Sequence, residues 1–241
     1  MTTQQRVSLR QRRVWPTTAS ERPLYPAGVP IKFSADGVVQ RYPGNTTVCH
    51  IPVDSPLQPS LRLIYETLGS HPTFSRMIRL VPQESWHMTV FDGPKDLEKQ
   101  PLDVSTREFS QSLRQFGLGL EEEGLAPPYR MRVRSFDPAV VGVGLEIEGA
   151  TAEEEQRIRR LRDRLANTLG FRAPNHLTYQ FHVTIAYWLR HVDGADRTEL
   201  NGVFSELLPA VKMEFELRAV EFCVFENMDS YPRLFYLGDM E

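Results

Sequence analysis

The stretches Trp86-His87-Met88-Thr89-Val90 and Phe181-His182-Val183-Thr184-Ile185 decide how this 241-residue chain is read. Each runs apolar, His, apolar, Thr, apolar. In an extended strand successive side chains point to opposite faces, so His87 and Thr89 share one face while Trp86, Met88 and Val90 share the other. The same alternation separates His182 and Thr184 from Phe181, Val183 and Ile185. Two such strands side by side would gather two imidazoles and two hydroxyls around one small anion, a donor set suited to acid–base chemistry on a phosphoester. One His-x-Thr in a strand is ordinarily structural; two copies in matching apolar frames point to a site. The other histidines, His50, His71, His176 and His191, do not repeat the pattern.

Around the first copy, segments 31–34 and 38–42 flank the hairpin signal Ala35-Asp36-Gly37, and Pro43-Gly44-Asn45 turns the chain into a strand over 46–51. Leu57, Leu61, Ile64, Tyr65 and Leu68 recur at helical spacing from about residue 55, with Gly69 placed to end that helix. A strand over 77–81 precedes the first motif strand at 86–92, and a helix over 105–116 follows. Strands over 129–136 and 140–148, separated by Asp137-Pro138, lead to an amphipathic helix over 151–169 closed by Gly170. The second motif strand covers 179–188, followed by a helix over 195–208 and strands over 211–217, 219–226 and 234–237. Both halves share an order of strand, helix, His strand, helix and further strands, without close identity outside the motifs. Residues 1–30 carry Pro16, Pro23, Pro26 and Pro30 with Arg6, Arg10, Arg12 and Arg13, and read as an N-terminal arm or surface-wrapping segment before one domain over 31–241.

With 41% apolar and 24% charged residues the chain has the composition of a globular protein, and its formal charge of -3 and pI near 6.1 exclude a broad basic footprint. A small substrate or an RNA end is favoured over a long duplex. Cys49 and Cys223 both lie in apolar, β-prone segments and read as buried free thiols of a reducing, cytoplasmic compartment. No run of eighteen apolar residues and no apolar leader occurs, so membrane insertion and export are not expected. No metal or other cofactor is expected: each motif supplies one ligand, and neither Cys-x-x-Cys nor His-Glu-x-x-His is present. A Gly-x-Ser-x-Gly elbow and a phosphate-binding Gly-rich loop are also missing.

Three stretches carry a family resemblance: Tyr42-Pro43-Gly44-Asn45-Thr46, Ser85-Trp86-His87-Met88-Thr89-Val90-Phe91-Asp92-Gly93 and Tyr179-Gln180-Phe181-His182-Val183-Thr184-Ile185-Ala186-Tyr187. With the paired motifs, they resemble the 2H phosphoesterase superfamily of RNA 2′,5′-ligase-like proteins and cyclic phosphodiesterases, and within it an uncharacterised fungal and bacterial branch. The resemblance covers about residues 40–240. It implies an α+β fold of two pseudo-symmetric lobes, each with an antiparallel sheet and packed helices, enclosing a central cleft that carries the two motifs. It also implies hydrolysis of a 2′,3′-cyclic phosphate of a nucleotide or RNA end.

In that chemistry one histidine takes a proton from water and the other gives one to the leaving sugar oxygen, imidazole being suited to both. His87 and His182 are the expected catalytic pair, with His182 the nominal base, and Thr89 and Thr184 the expected phosphate donors. Trp188, at an even offset from His182, is a candidate to stack on a base. His50 is a candidate to line the cleft beside the first motif. Tyr179 and Tyr187, at odd offsets, are expected to face the core. Arg172 and Arg190 flank the second motif, and loops 92–103 and 117–128 are expected to frame the cleft. The chain is expected to act as a monomer without an obligate protein partner. A nucleotide- or RNA-binding module without turnover, and ligase-like or other phosphodiester chemistry in the same cleft, are the alternatives.

Overall fold

Strand β1 (Gly44–His50) runs between β3 (His87–Asp92) and β8 (Glu221–Phe225), and β9 (Arg233–Tyr236) covers the outer edge of β8. On the other side, β6 (Phe181–Trp188) is followed by β5 (Gly142–Gly149), β4 (Tyr129–Phe136) and β7 (Glu214–Leu217), while short β2 (Ile78–Leu80) pairs with the far end of β6. Every pairing is antiparallel. The two sets join at Met88 of β3, paired with Val183 of β6, so the two motif strands are neighbours at the centre of one continuous sheet. These elements belong to a computed structural model that describes residues 22–93, 104–137 and 140–238. Arm residues 1–21, most of the 92–103 loop and Pro138 of the expected turn lie outside the described residues.

Four helices among the described residues complete an α+β architecture: α1 (Gln58–Ser70), α2 (Val104–Gly117), α3 (Ala152–Leu169) and α4 (Gly194–Val211). The apolar stripe expected for the first is buried as read, through Leu61, Ile64 and Leu68. Gly69 does not stop it; the helix runs on to Ser70 and ends as His71 turns extended. Helix α3 is specified at both ends. The Thr151 side chain accepts from the Glu154 amide at 3.3 Å, three glutamates occupy the first turn, and Gly170 takes a left-handed φ of 62° at the C-terminus.

The core lies between the helices and the sheet face that carries Met88, Val90, Phe181, Val183 and Ile185, all of them fully shielded from solvent. By alternation, the opposite face of β3 and β6 is left to His87, Thr89, His182 and Thr184. A second apolar cluster, with Val29, Phe33, Val48, Leu189 and Phe225, seats the N-terminal segment against β1 and β8. The expected hairpin at 31–42 narrows to a single bridge, Phe33 to Val39, around Gly37 at a φ of 88°. Residues 22–30 are docked: Arg22 pairs with Asp193 at 2.6 Å, and the Pro23 carbonyl accepts from His191 at 2.7 Å. Both cysteines are buried free thiols, as read. No helix among the described residues is long and apolar enough to cross a membrane.

Candidate active site

The two motifs open onto a cleft of about 1180 Å³ whose lining includes His87, Thr89, His182 and Thr184. Because β3 and β6 are antiparallel and Met88 opposes Val183, His87 lies on the side of Thr184 and Thr89 on the side of His182. Each histidine therefore stands near the hydroxyl of the other motif, an approximate two-fold arrangement around one point.

Both imidazoles are held the same way. Nδ1 of His87 lies 2.6 Å from the carbonyl oxygen of Ser85, and Nδ1 of His182 lies 3.0 Å from that of Gln180, in each case two residues back along the chain. A carbonyl only accepts, so Nδ1 carries the hydrogen and Nε2 is left as the proton-exchanging atom of both rings. The rings differ in surroundings. Burial is the main force lowering the proton affinity of His87, with the charges of His50 and His182 adding to it; the Ser85 carbonyl and Asp92 oppose, and the balance settles at a pKa of about 4. His182 stands closer to solvent.

Two sequence expectations are corrected here. Trp188 is in the core, only 2% exposed and edge-on to Phe74, and does not line the cleft, whereas Tyr187 does. The cause is a β-bulge: Val143 pairs with Ala186 but Gly144 pairs with Thr184, so Ile185 is an extra residue and the alternation resets by one. Gly142 and Gly144 on β5 permit this, since a Cβ at either would collide with the carbonyl of Ala186 or Val183. Tyr179 borders the cleft too, but it is only 6% exposed and its ring packs in the core, as expected. It precedes the first residue of β6, behind a single turn of 3₁₀ helix at His176–Thr178, so strand parity never applied to it. The side chain of Tyr179 interacts with that of Thr89, and Tyr187 with Thr184, giving each motif threonine a tyrosine partner. The signal in the sequence for Tyr187 was the Gly142-Val143-Gly144 run on the neighbouring strand.

His50 is a third correction. It sits beside the first motif, in register with His87 across β1 and β3, but it is not part of the cleft lining; its Nδ1 is bonded to the Glu221 carboxylate at 3.0 Å. Arg190 reaches the carbonyls of Ala35 and Leu189, and Arg172 reaches Asn167 and Asp163, so both flanking arginines point away from the cleft.

The cleft walls are unequal. One end is aromatic, formed by Tyr42, Tyr187, Phe225 and Tyr231, with the Lys32 ammonium 4.9 Å from the Tyr187 ring centre and the Tyr231 ring 4.2 Å from that of His87. The other is ionic, with Arg134 near Glu148 and Arg159 on Glu155 at 2.6 Å. Of the charged lining residues three are basic and five acidic, which leaves no track for a polyanion. Under the floor, the buried Arg162 guanidinium lies 3.8 Å from the ring centre of Tyr179 and donates to the Val90 carbonyl at 2.5 Å.

One group of potential metal ligands occurs among the described residues. His50, Glu221 and Cys223 bring their ligand atoms within 4.8 Å of one another. Their chemistry does not suit an ion. The His50 nitrogen and Glu221 oxygen already bond each other, Arg233 approaches the same carboxylate oxygen at 3.4 Å, and burial pushes the Cys223 thiol up to about 12, keeping its proton on.

Residues 32–140, which contain the first motif, match the family model described as 2H-phosphodiest, Domain of unknown function (DUF1868). The second motif lies beyond that span and reproduces the first in anchoring and orientation. The match spans less than half of the chain and makes its first motif region similar to that 2H family. Among solved structures, the chain is similar to a conserved protein of unknown function from Agrobacterium tumefaciens, at 25% identity over 92% of this chain and 97% of that one, with a TM-score of 0.74. A structure described as a phosphoesterase aligns at 10% identity over 83% and 100% of the respective chains, TM-score 0.51, a likeness of fold. No curated protein matches in sequence.

Proposed function

We propose that this chain is a 2H phosphoesterase, a metal-independent phosphodiesterase that opens a small cyclic phosphodiester, a 2′,3′-cyclic phosphate of a nucleotide or RNA end, by paired-histidine acid–base catalysis. The observation that carries this is the identical anchoring of two imidazoles through Nδ1, which leaves two Nε2 atoms and two threonine hydroxyls in one cleft.

In-line attack on phosphorus needs a base on one side and an acid on the other. His87, deep and held neutral, is suited to take the proton from water at Nε2; His182, nearer solvent, carries the proton that goes to the departing sugar oxygen. These roles reverse the nominal sequence choice, because burial and not motif order separates the two rings. Water adds its oxygen to phosphorus, the P–O bond to the leaving oxygen breaks, and the product is a phosphomonoester. The hydroxyls of Thr89 and Thr184, each oriented by its tyrosine, would donate to the non-bridging oxygens where charge builds.

The aromatic end of the cleft offers faces on which a base could stack, and the acidic balance of the lining favours one phosphate over a chain of them. That supports a nucleotide-sized ester over an extended RNA. The test is incubation with the four 2′,3′-cyclic nucleotides and short RNAs ending in a cyclic phosphate, with EDTA present. Ring opening is expected, fastest on mononucleotides. Tight binding without turnover would instead favour a nucleotide-binding module.

A further inference from the structure

Glu221 is a buried charged group that the mechanism does not use. On β8, it has a side chain only 8% exposed and receives two partners: His50 through Nδ1 at 3.0 Å and Arg233 at 3.4 Å. Burial by itself would raise its carboxyl, but the bond from His50 and the charges of His50 and Arg233 outweigh that and hold it below the usual carboxylate value. Glu221 is therefore an anion behind β1.

His50 lies between that anion and the cleft. It pairs in register with His87 across β1 and β3, and its ring stands near-perpendicular to that of His87, with ring centres 5.8 Å apart and planes at 63°. Since the carboxylate accepts from Nδ1, it fixes both the ring flip and the tautomer of His50. So held, the His50 ring stands against His87 and lowers the proton affinity of that ring.

We infer that His50 and Glu221 form a positioning pair that holds the His87 imidazole in its neutral, proton-accepting form and fixes its orientation from behind. This rests on the proton-accepting role proposed above for His87. The other groups that face His87 differ from His50 in kind. His182 approaches from β6 as its catalytic partner, Asp92 on its own strand favours a proton on it, Tyr231 packs against its ring as a neutral phenol, and the Ser85 carbonyl takes the Nδ1 hydrogen. His50 differs from them in being held by a buried carboxylate. Arg233 completes the arrangement by approaching the same carboxylate oxygen and helping to keep Glu221 ionised.

Glu221→Gln keeps the shape of the pair and removes its charge; His50→Gln removes the ring. The experiment is proton NMR titration of the His87 ring in the full chain and in both variants, alongside the pH dependence of kcat/KM on a cyclic nucleotide. The expected result is an upward move of the His87 midpoint by about 0.5–1 pH unit in His50→Gln, the size of one charge acting over about 6 Å in a partly hydrated site, and a displaced midpoint in Glu221→Gln, which keeps the ring but loses the carboxylate that holds it. The acid limb of kcat/KM should follow it. An unmoved His87 midpoint in both variants overturns the pair, whatever the activity does. A midpoint that rises while the acid limb stays fixed upholds the pair and instead removes His87 as the base.

Discussion

Met88 pairs with Val183 across the junction of β3 and β6, and both side chains are fully buried. That one pairing turns His87, Thr89, His182 and Thr184 to the opposite face together and sets each histidine beside the threonine of the other strand. Helices cover the buried face, so the four polar side chains are left to the cleft.

Removing either imidazole should stop turnover without unfolding the chain. His87→Ala and His182→Ala are each expected to lower kcat/KM by about 10²–10⁴-fold, with circular dichroism and melting close to the parent. The double variant should be little worse than the more damaged single one, because the two rings act in one step.

The threonines should behave as transition-state donors. Thr89→Val and Thr184→Val are expected to lower kcat by about 100-fold with a small change in KM, and Thr→Ser to restore most of it. Equal loss in KM alone would assign them to ground-state binding.

The pH profile follows from the burial of His87. With a pKa of about 4, His87 is neutral down to well below the ordinary histidine value of 6.5, so the acid limb of kcat/KM should fall near pH 4–5. Stability carries the same sign. The unfolded chain takes up a proton on this ring near 6.5 and the folded chain does not, so the stability this site contributes is present above 6.5 and is lost as pH falls from about 6.5 toward 4. Urea titrations of wild type and His87→Gln across that window should show the difference narrowing in the variant.

The bulge in β6 separates two adjacent aromatic residues by function. Tyr187→Phe should leave stability nearly unchanged and reduce turnover about tenfold through loss of the contact to Thr184, while Trp188→Ala should cost about 3–5 kcal/mol of stability by emptying a core site. Gly144→Ala should destabilise by forcing β5 away from the Val183 carbonyl, and should lower activity with it.

Most of this architecture was legible as alternation and punctuation. The alternating motifs placed their strands on the correct faces, and Thr151 and Gly170 marked the ends of α3. What alternation could not carry was any residue past an irregularity. Tyr187 and Trp188 exchanged places because one extra residue, Ile185, shifts parity. His50 was placed next to His87 by the family resemblance, but its partner Glu221 comes from β8, 171 residues away in sequence, a pairing that no local pattern encodes. The walls of the cleft were hidden for the same reason, since Lys32, Tyr42, Phe225 and Tyr231 meet only after the chain has folded.

The most direct test of the central claim is phosphorus NMR of the protein with 2′,3′-cyclic nucleotides in the presence of EDTA, run beside His87→Ala and His182→Ala. The account predicts conversion of the cyclic signal to a single phosphomonoester isomer by the wild type and none by either variant. A cyclic signal that persists with every base and with RNA ends, or one that either histidine variant converts at the wild-type rate, would contradict it.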